Sequence, residues 1–287
     1  MLHESLLISF EVLKGIMFKT VKTEDQKPIS ELISLKGKRA LITGSATGIG
    51  KAIALRFAEA GASLDLVDIN EELLTNVKDE LARFAVELTL HRVDLSQKEE
   101  IDCLWATLLT KEPDILVNNA GIYPFKNFVD VDEAFLDKVM AINFYSVFWM
   151  CQHMIRTRSS QGGIIINVGS IEALLPFKGK LTHYTSSKAS VIALTRALAK
   201  DYGKDGFRIN AIIPGGIITS GTKTVAKELL KFNFGLIKTG LDFKKRLPLG
   251  LFGQSDEVAC MALVLASDLS RYVHGLLIPV DGGFLSA

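Results

Sequence analysis

Tyr184 and Lys188 form the residue pair in this sequence that is best suited to proton transfer. They open a run from 184 to 201 with apolar residues at helical spacing, and residues four apart on a helix share a face. A free tyrosine has a pKa of about 10 and is a poor acid or base at neutral pH. A lysine ammonium about 5 Å away in a partly buried site favours the phenolate by roughly 3 kcal/mol, or about two pKa units. The spacing therefore predicts a tyrosine whose lowered pKa suits proton exchange, although a surface tyrosine lying along a lysine stem has the same spacing.

A glycine cluster near the start of the chain supplies the context that this pair needs. The apolar run 38–43 is followed by Gly44, Gly48 and Gly50 and then by a predicted helix that ends at Ala60. Glycines allow the backbone to approach a pyrophosphate closely, and the helix presents free N–H groups and the positive end of its dipole. Because a strand precedes the cluster and an amphipathic helix follows it, the pattern predicts a dinucleotide site.

Asp68 ends the next predicted strand, twenty residues after Gly48. A carboxylate at this position accepts hydrogen bonds from the adenosine ribose and repels a 2′-phosphate. No basic residue occurs between Ser45 and Thr47 to bind that phosphate. We therefore expect NAD rather than NADP, while a simple strand-end turn is the alternative interpretation of Asp68.

Polar residues also follow the later strands. Asp94-Leu95 and the run 118–121 are expected to line the adenine side of the crevice, unless they are ordinary polar turns. Ser170 ends a strand fourteen residues before Tyr184, where its hydroxyl can donate to a carbonyl oxygen beside the phenol. Asn143 lies in an uncharged helical run, so its amide must be hydrogen-bonded; it holds a water next to Lys188 or pins a helix bend.

The elements that must position these residues alternate between strand and helix, which predicts an α/β domain with a parallel sheet covered on both faces. Ligands of such a sheet bind at the carboxyl ends of its strands. The alternation runs unbroken through residues 35–287, so we predict one domain there. The predicted strands span 38–43, 63–68, 86–93, 114–118, 163–170, 207–213 and 276–280, and the predicted helices after the first span 71–84, 97–110, 132–158 and 184–201.

Taken together, the motifs resemble the short-chain dehydrogenase/reductase family of the classical type, over about residues 36–287. The matching pieces are Thr43-Gly44-x-x-x-Gly48-Ile49-Gly50, Asn118-Asn119-Ala120-Gly121, Asn143, Ser170, Tyr184-x-x-x-Lys188, Pro214-Gly215 with Ile217 and Thr219, and Val280-Asp281-Gly282-Gly283. The interval from Ser170 to Tyr184 is one residue longer than the family pattern leads us to expect, so the loop between them should differ in shape.

The resemblance implies a seven-stranded, doubly wound Rossmann fold and an NAD(H)-dependent oxidoreductase that interconverts a secondary alcohol and a ketone. It implies Asn143, Ser170, Tyr184 and Lys188 as the catalytic set, and a homotetramer or homodimer. The expected cofactor-binding residues are Gly44, Ser45, Thr47, Gly48, Ile49, Gly50, Asp68, Ile69, Asp94, Leu95, Asn119, Ala120, Gly121, Tyr184, Lys188, Pro214, Gly215, Ile217 and Thr219.

Composition excludes several other classes of function. Net charge is +1, from 33 basic and 32 acidic residues, which does not favour nucleic acid or an anionic membrane as a partner. The uncharged run 139–155 is too short and too polar to span a bilayer, and we expect a buried helix at a subunit interface. The three separate cysteines predict buried free thiols in a reducing cytoplasm and no metal site.

Residues 1–34 carry no familiar motif and resemble neither a secretory signal nor a transit peptide. We expect an N-terminal extension, either an accessory helix or a partly disordered segment. Translation that starts at Met17 is the alternative.

Two segments are expected to shape the substrate pocket: the loop 170–184, and a mobile lid at about 220–247. In the loop, Glu172 suits a sugar or polyol hydroxyl, in loose resemblance to bacterial glucose dehydrogenases, unless it is a solvated carboxylate. The basic residues of the lid would suit an acyl carrier, as in 3-oxoacyl-(acyl-carrier-protein) reductases, and its apolar residues a steroid-like alcohol. A non-catalytic protein that senses nucleotides is the remote alternative.

Overall fold

The computed structural model describes residues 27–219 and 242–287, and in these ranges seven parallel strands form one sheet. Their order across the sheet is β3-β2-β1-β4-β5-β6-β9, which confirms the predicted doubly wound α/β fold. A second, two-stranded parallel sheet pairs β7 with β8. The strands are β1 (Arg39–Thr43), β2 (Ser63–Asp68), β3 (Leu88–Arg92), β4 (Ile115–Asn118), β5 (Gly163–Val168), β6 (Phe207–Pro214), β7 (Ile217–Ile218), β8 (Gly253–Gln254) and β9 (Leu277–Val280).

The α-helices of the described ranges are α1 (Ile29–Leu32), α2 (Gly48–Glu59), α3 (Glu71–Leu81), α4 (Lys98–Thr107), α5 (Glu133–Met140), α6 (Ser146–Thr157), α7 (Thr182–Tyr202) and α8 (Ser255–Ala266). Apolar residues of α2, α3 and α8 pack on one side of the sheet, and those of α4, α6 and α7 form a second core cluster. The central strands β1 and β4 are buried along nearly their whole length, as expected of strands covered on both faces.

Strand order reverses between β1 and β4, because β1 is followed along the chain by β2 on one side and is flanked by β4 on the other. Ligands of open α/β sheets bind at such a switch point, beyond the carboxyl ends of the strands. The glycine cluster follows β1 and Asn119 follows β4. Both motifs therefore meet at this point.

The chain divides into two units, residues 1–32 and 33–287. In the first unit, α1 begins after Pro28, whose carbonyl accepts hydrogen bonds from the amides of Glu31 and Leu32. The other calls on the N-terminal extension, including a start at Met17, lie outside the described residues. So does most of the expected lid, since only 242–247 of it is described.

The long helical region predicted for about 132–158 is interrupted at one point. A π-helical segment, Ala141–Tyr145, separates α5 from α6. Asn143 in this segment is buried and bonds to the backbone of Ile122 and to the hydroxyl of Ser187. Segments of this kind occur frequently at functional sites.

The prediction of three buried thiols is wrong for two of them. Cys103 and Cys260 are exposed, whereas Cys151 is buried beside the amides of Asn118 and Asn167. Burial raises the pKa of the Cys151 thiol to about 12. Within residues 27–219 and 242–287, no helix combines the length and the apolar composition that crossing a bilayer requires.

Candidate active site

Tyr184 lies in the first turn of α7, next to the end of β5. Its phenol lies within interaction range of the hydroxyl of Ser170, which follows β5 by two residues. The Ser170 hydroxyl also accepts a hydrogen bond from the amide of Glu172 at 3.2 Å, which fixes its position. The structure thus brings together the predicted phenol and the predicted oxyanion-binding hydroxyl.

Lys188 lies one helical turn further along α7 and is almost completely buried. Its ammonium donates a hydrogen bond to the carbonyl of Val168, at the end of β5, over 2.8 Å. A Cβ atom added to Gly121 would lie 3.5 Å from this ammonium and 3.2 Å from the amide oxygen of Asn143. Lys188 and Asn143 therefore both lie close to Gly121, which follows β4.

Asn143 is held by three hydrogen bonds. Its oxygen accepts from the amide of Ile122 at 2.8 Å, and its nitrogen donates to the carbonyl of Ile122 at 2.9 Å and to the hydroxyl of Ser187 at 3.1 Å. The Ser187 hydroxyl donates to the carbonyl of Tyr184 at 2.7 Å. Asn143 thus ties the chain after β4 to the first turn of α7; a water held next to Lys188 stays a prediction.

Electrostatics at the pair differ from the prediction. Burial raises the pKa of Tyr184 to about 12; the hydrogen bond from Ser170 lowers it, and the charge of Glu172 raises it further. Burial also lowers the pKa of Lys188 to about 8. The expected lowering of the phenol's pKa by Lys188 is therefore wrong for the protein alone, because the loss of hydration on burial is the largest influence on the phenol. Tyr184 is a neutral phenol at pH 7.

The glycine turn between β1 and α2 has space only for backbone. Gly44 and Gly48 have φ of 63° and 54°, in the left-handed region that favours glycine. A Cβ atom on Gly50 would lie 2.1 Å from the carbonyl oxygen of Gly44. Thr47 precedes α2 and makes no side-chain cap, so the N-terminal amides of the helix remain available to a pyrophosphate. These features fit a dinucleotide.

The carboxylate of Asp68 lies against this turn. One oxygen accepts from the amide of Ala46 at 3.0 Å and the other from the amide of Asn70 at 3.1 Å. The neighbouring Ile69 is 56% exposed, which is unusual for isoleucine. The end of β2 therefore offers a fixed carboxylate and an apolar side chain at the place where the ribose and the adenine are expected.

Asn119 supports the glycine turn. Its side-chain nitrogen donates to the carbonyls of Thr43 and Gly44, each at 3.0 Å. The Thr43 hydroxyl in turn accepts from the amides of Asn119 and Ala120. The side chain of Asn119 thus bonds to the backbone of the glycine turn, and the expectation that the run 118–121 lines the adenine side stays a prediction.

The residues after β3 have structural contacts of their own. The carboxylate of Asp94 accepts a hydrogen bond from the amide of Ser96 in a local turn, and Leu95 is buried in the second core cluster. These contacts correspond to the alternative that Asp94 and Leu95 form a turn. Their contact with a cofactor stays a prediction.

The segment after β6 lies against the glycine turn. The amide of Gly215 donates to the carbonyl of Val280, and a Cβ atom on Gly215 would lie 2.6 Å from Cα of Asp281. Four residues later, Thr219 contacts the position that a Cβ atom on Gly48 would occupy, at 3.4 Å. The run from Pro214 through Ile217 to Thr219 therefore lies beside the expected pyrophosphate site.

Sequence reasoning missed Tyr123. The rings of Tyr123 and Tyr184 pack edge to face with centroids 4.8 Å apart. His183, expected in the substrate pocket, is buried and donates through Nε2 to the carbonyl of Pro124 at 2.8 Å, while its Nδ1 has no partner among the described residues. Tyr123 lies only two residues after Gly121, and this spacing could have indicated that it lies beside the site.

A polar turn after β1, a carboxylate after β2 and a serine–tyrosine–lysine group beside the switch point define a nucleotide-dependent dehydrogenase or reductase. The family model described as enoyl-(acyl carrier protein) reductase matches residues 44–285. The chain belongs to the short-chain dehydrogenase/reductase family, which confirms the predicted family. It is an NAD(P)-dependent oxidoreductase that acts on CH–OH groups.

The chain is 36% identical over 262 residues to 2-dehydro-3-deoxy-D-gluconate 5-dehydrogenase of Bacillus subtilis, which covers 90% of this chain and 98% of that protein. It is 37% identical over 257 residues to a 3-oxoacyl-[acyl-carrier-protein] reductase of Chlamydia pneumoniae, covering 88% and 98%. Among solved structures, L-sorbose reductase from Gluconobacter frateurii, complexed with NADPH and L-sorbose, superimposes with a TM-score of 0.83. That structure is 30% identical and covers 89% of this chain and 99% of its own.

Proposed function

We propose that this enzyme reduces the ketone of a polyhydroxy compound, or oxidises the corresponding secondary alcohol, with Tyr184 as the proton-transferring residue. The observation that carries the proposal is the proximity of the Tyr184 phenol and the Ser170 hydroxyl, beside the buried Lys188. A ketone oxygen placed between the two hydroxyls accepts hydrogen bonds from both of them.

In the reductive direction the proton and the hydride reach opposite ends of the carbonyl bond. The glycine turn after β1 and the run from Pro214 to Thr219 would hold the dinucleotide, whose nicotinamide would supply the hydride for the carbonyl carbon. Tyr184, a neutral phenol, donates its proton to the carbonyl oxygen while Ser170 holds that oxygen in place. Lys188 then stabilises the phenolate until a proton from solvent restores the phenol. Oxidation of an alcohol uses the same groups in reverse.

We propose NAD as the cofactor. The support is Asp68, whose carboxylate is fixed beside the glycine turn, where a 2′-phosphate would meet a like charge. The NADPH in the L-sorbose reductase complex supports the opposite choice. In that case Asp68 would have to turn away from its contact with the amide of Ala46.

Polyhydroxy ketones are supported as substrates by two relatives whose names state such compounds, the gluconate-derivative dehydrogenase and the L-sorbose reductase. A 3-oxoacyl chain on an acyl carrier protein is the second candidate, favoured by the acyl carrier protein named for the matching family model and by the Chlamydia relative.

The test is a substrate panel monitored by the absorbance of the reduced nicotinamide, with NAD(H) and NADP(H) assayed side by side. The panel contains polyols, sugars, sugar acids and an acetoacetyl thioester. We expect turnover with at least one polyhydroxy compound and a preference for NAD. Turnover of the thioester alone would replace the substrate assignment by the second candidate. Cofactor binding without turnover of any compound would point to a nucleotide sensor.

We further propose that the enzyme assembles as a homotetramer in the cytoplasm. Apolar side chains are exposed along α5 and α6 and in the segment between them, including Leu136, Tyr145 and Phe148. The exposed thiols of Cys103 and Cys260 suit a reducing compartment. Light scattering after size exclusion tests the assembly, with Phe148→Glu expected to reduce the mass.

A further inference from the structure

Lys178 is a cation in the loop between Ser170 and Tyr184 whose role the proposed chemistry does not explain. Its side chain is partly buried, and burial lowers the pKa of its ammonium. Among residues 27–219 and 242–287 it forms no ion pair, and its ammonium contacts the ring of Tyr123. An ammonium has three donors, and burying one without acceptors is costly.

The negative charge of Glu172 acts on Lys178, but both oxygens of this carboxylate already accept hydrogen bonds. One oxygen accepts from the amide of Phe177 at 3.0 Å, and the other accepts from the amide of Lys178 at 3.3 Å. Burial raises the pKa of this carboxyl group, and only 4% of the residue is exposed. Glu172 therefore closes the loop on itself and leaves the donors of the Lys178 ammonium to another acceptor.

The position of Lys178 relative to the reacting phenol follows from two ring contacts. The ammonium lies 5.6 Å from the centroid of Tyr123, whose ring packs edge to face on Tyr184 with centroids 4.8 Å apart. A single aromatic ring thus separates the cation from the phenol. This proximity would allow the far end of a short carbon chain to lie near Lys178 while the ketone is bonded to Tyr184.

We infer that Lys178 binds a carboxylate of the substrate, so that the substrate class is a polyhydroxy acid rather than a neutral sugar or polyol. The inference rests on the proposed function, since it names the substrate class of the same site. The carboxylate supplies the acceptor that the ammonium lacks, and the ring of Tyr123 forms the wall between the charged end and the reacting end. A charge-assisted hydrogen bond in a partly buried site discriminates strongly between an acid and its neutral analogue.

The experiment uses two ketones that differ only at the far end of the chain. In 5-dehydro-D-gluconate this end is a carboxylate, and in L-sorbose it is a hydroxymethyl group. The full-length enzyme and its variants are assayed with both compounds and the preferred reduced cofactor. Lys178→Met removes the charge at similar length, Lys178→Arg keeps it, and Lys180→Met removes an exposed charge from the same loop.

We expect Lys178→Met to lower kcat/KM for 5-dehydro-D-gluconate by about 10- to 100-fold, mainly through KM, and to leave kcat/KM for L-sorbose nearly unchanged. Lys178→Arg should retain most of the preference for the acid, and Lys180→Met should retain all of it. Melting temperature and cofactor affinity identify any variant that has simply lost its fold.

An equal loss for both ketones in Lys178→Met, or a loss of the same size in Lys180→Met, would overturn the inference and leave the proposed function standing. A wild-type enzyme that reduces L-sorbose but not the acid would have the same consequence. If the wild-type enzyme reduced neither ketone and turned over no other compound of the panel, the proposed function would fall together with the inference.

Discussion

The two halves of the cleft are built in different ways. In the cofactor half, the turn between β1 and α2 is shaped by missing side chains, since a Cβ atom on Gly50 would collide with the backbone of Gly44. In the substrate half, Tyr123, Glu172 and Lys178 create the surface around Tyr184 through side chains. The first half fits the backbone of a dinucleotide, and the second half presents side chains to the substrate.

This difference indicates that cofactor specificity and substrate specificity can be changed independently of each other. The glycine turn and its support by Asn119 belong to one local network of backbone atoms. The loop 170–184 packs on aromatic residues from the C-terminal part of the chain, where Phe177 contacts Phe243 and Phe284. A substitution in one half should leave the other half intact, and the following predictions test that separation.

Tyr184→Phe should give the largest effect. Without the phenolic proton we expect kcat to fall by about 10²- to 10⁴-fold or more, the range that positioned acid–base groups contribute. Cofactor affinity should remain unchanged, because the ring and its packing on Tyr123 are kept. Absorbance assays measure kcat, and quenching of protein fluorescence measures the affinity. A Phe variant that retained turnover would remove Tyr184 from the mechanism.

Lys188→Met should abolish most turnover and yet stabilise the protein at neutral pH. The pKa of Lys188 is lowered from 10.5 to about 8 in the folded state. Below the folded pKa both states hold the proton, and the folded state carries the full cost of burying the charge. Between these two values the folded chain loses the proton first, so the free energy of unfolding rises with pH. The variant should therefore gain up to about 3 kcal/mol at pH 7, less the lost bond to Val168.

Urea unfolding at pH 7 and at about pH 10 measures this effect, and the advantage of the variant should shrink at the higher pH. Lys200→Met, an exposed position on the same helix, is the matched control and should change little. Equal stability of Lys188→Met and wild type at both pH values would show that the buried ammonium costs nothing.

Gly50→Ala should damage the cofactor half alone. The added Cβ atom would lie 2.1 Å from the carbonyl oxygen of Gly44, so the turn must shift. We expect cofactor affinity to fall by about 10- to 100-fold, in line with the usual cost of overpacking. Gly179→Ala is the control, because a Cβ atom there meets nothing within 4 Å. Weakened cofactor binding in both variants would contradict the assignment of the turn.

Asp68→Asn should have the smallest effect and should be confined to cofactor choice. The amide keeps an oxygen for the amide of Ala46 but removes the charge that would repel a 2′-phosphate. We expect the ratio of kcat/KM with NAD to that with NADP to fall by about tenfold, with little change in substrate preference. An unchanged ratio would show that another residue makes the choice.

Most of the strand and helix pattern followed from the sequence, since the buried parallel strands are short apolar runs and the helices have apolar stripes. The break in the helix around Asn143 did not, because a π-helical segment leaves no period of its own in so short a stretch. The strands β3 and β5 also end before the predicted 93 and 170, where the chain turns into the cleft.

The sequence by itself determined the glycine turn, the order of the strands along the chain and the spacing of Tyr184 and Lys188, because each of these is a local property of a few neighbouring residues. Only the tertiary structure decided that Tyr184 is a neutral phenol, that Asn119 supports the turn, and that Lys178 lies one ring away from the reacting group. The reason is physical: burial and contacts between distant segments set the pKa of a group and the direction of a side chain, and neither is encoded in the residues next to it.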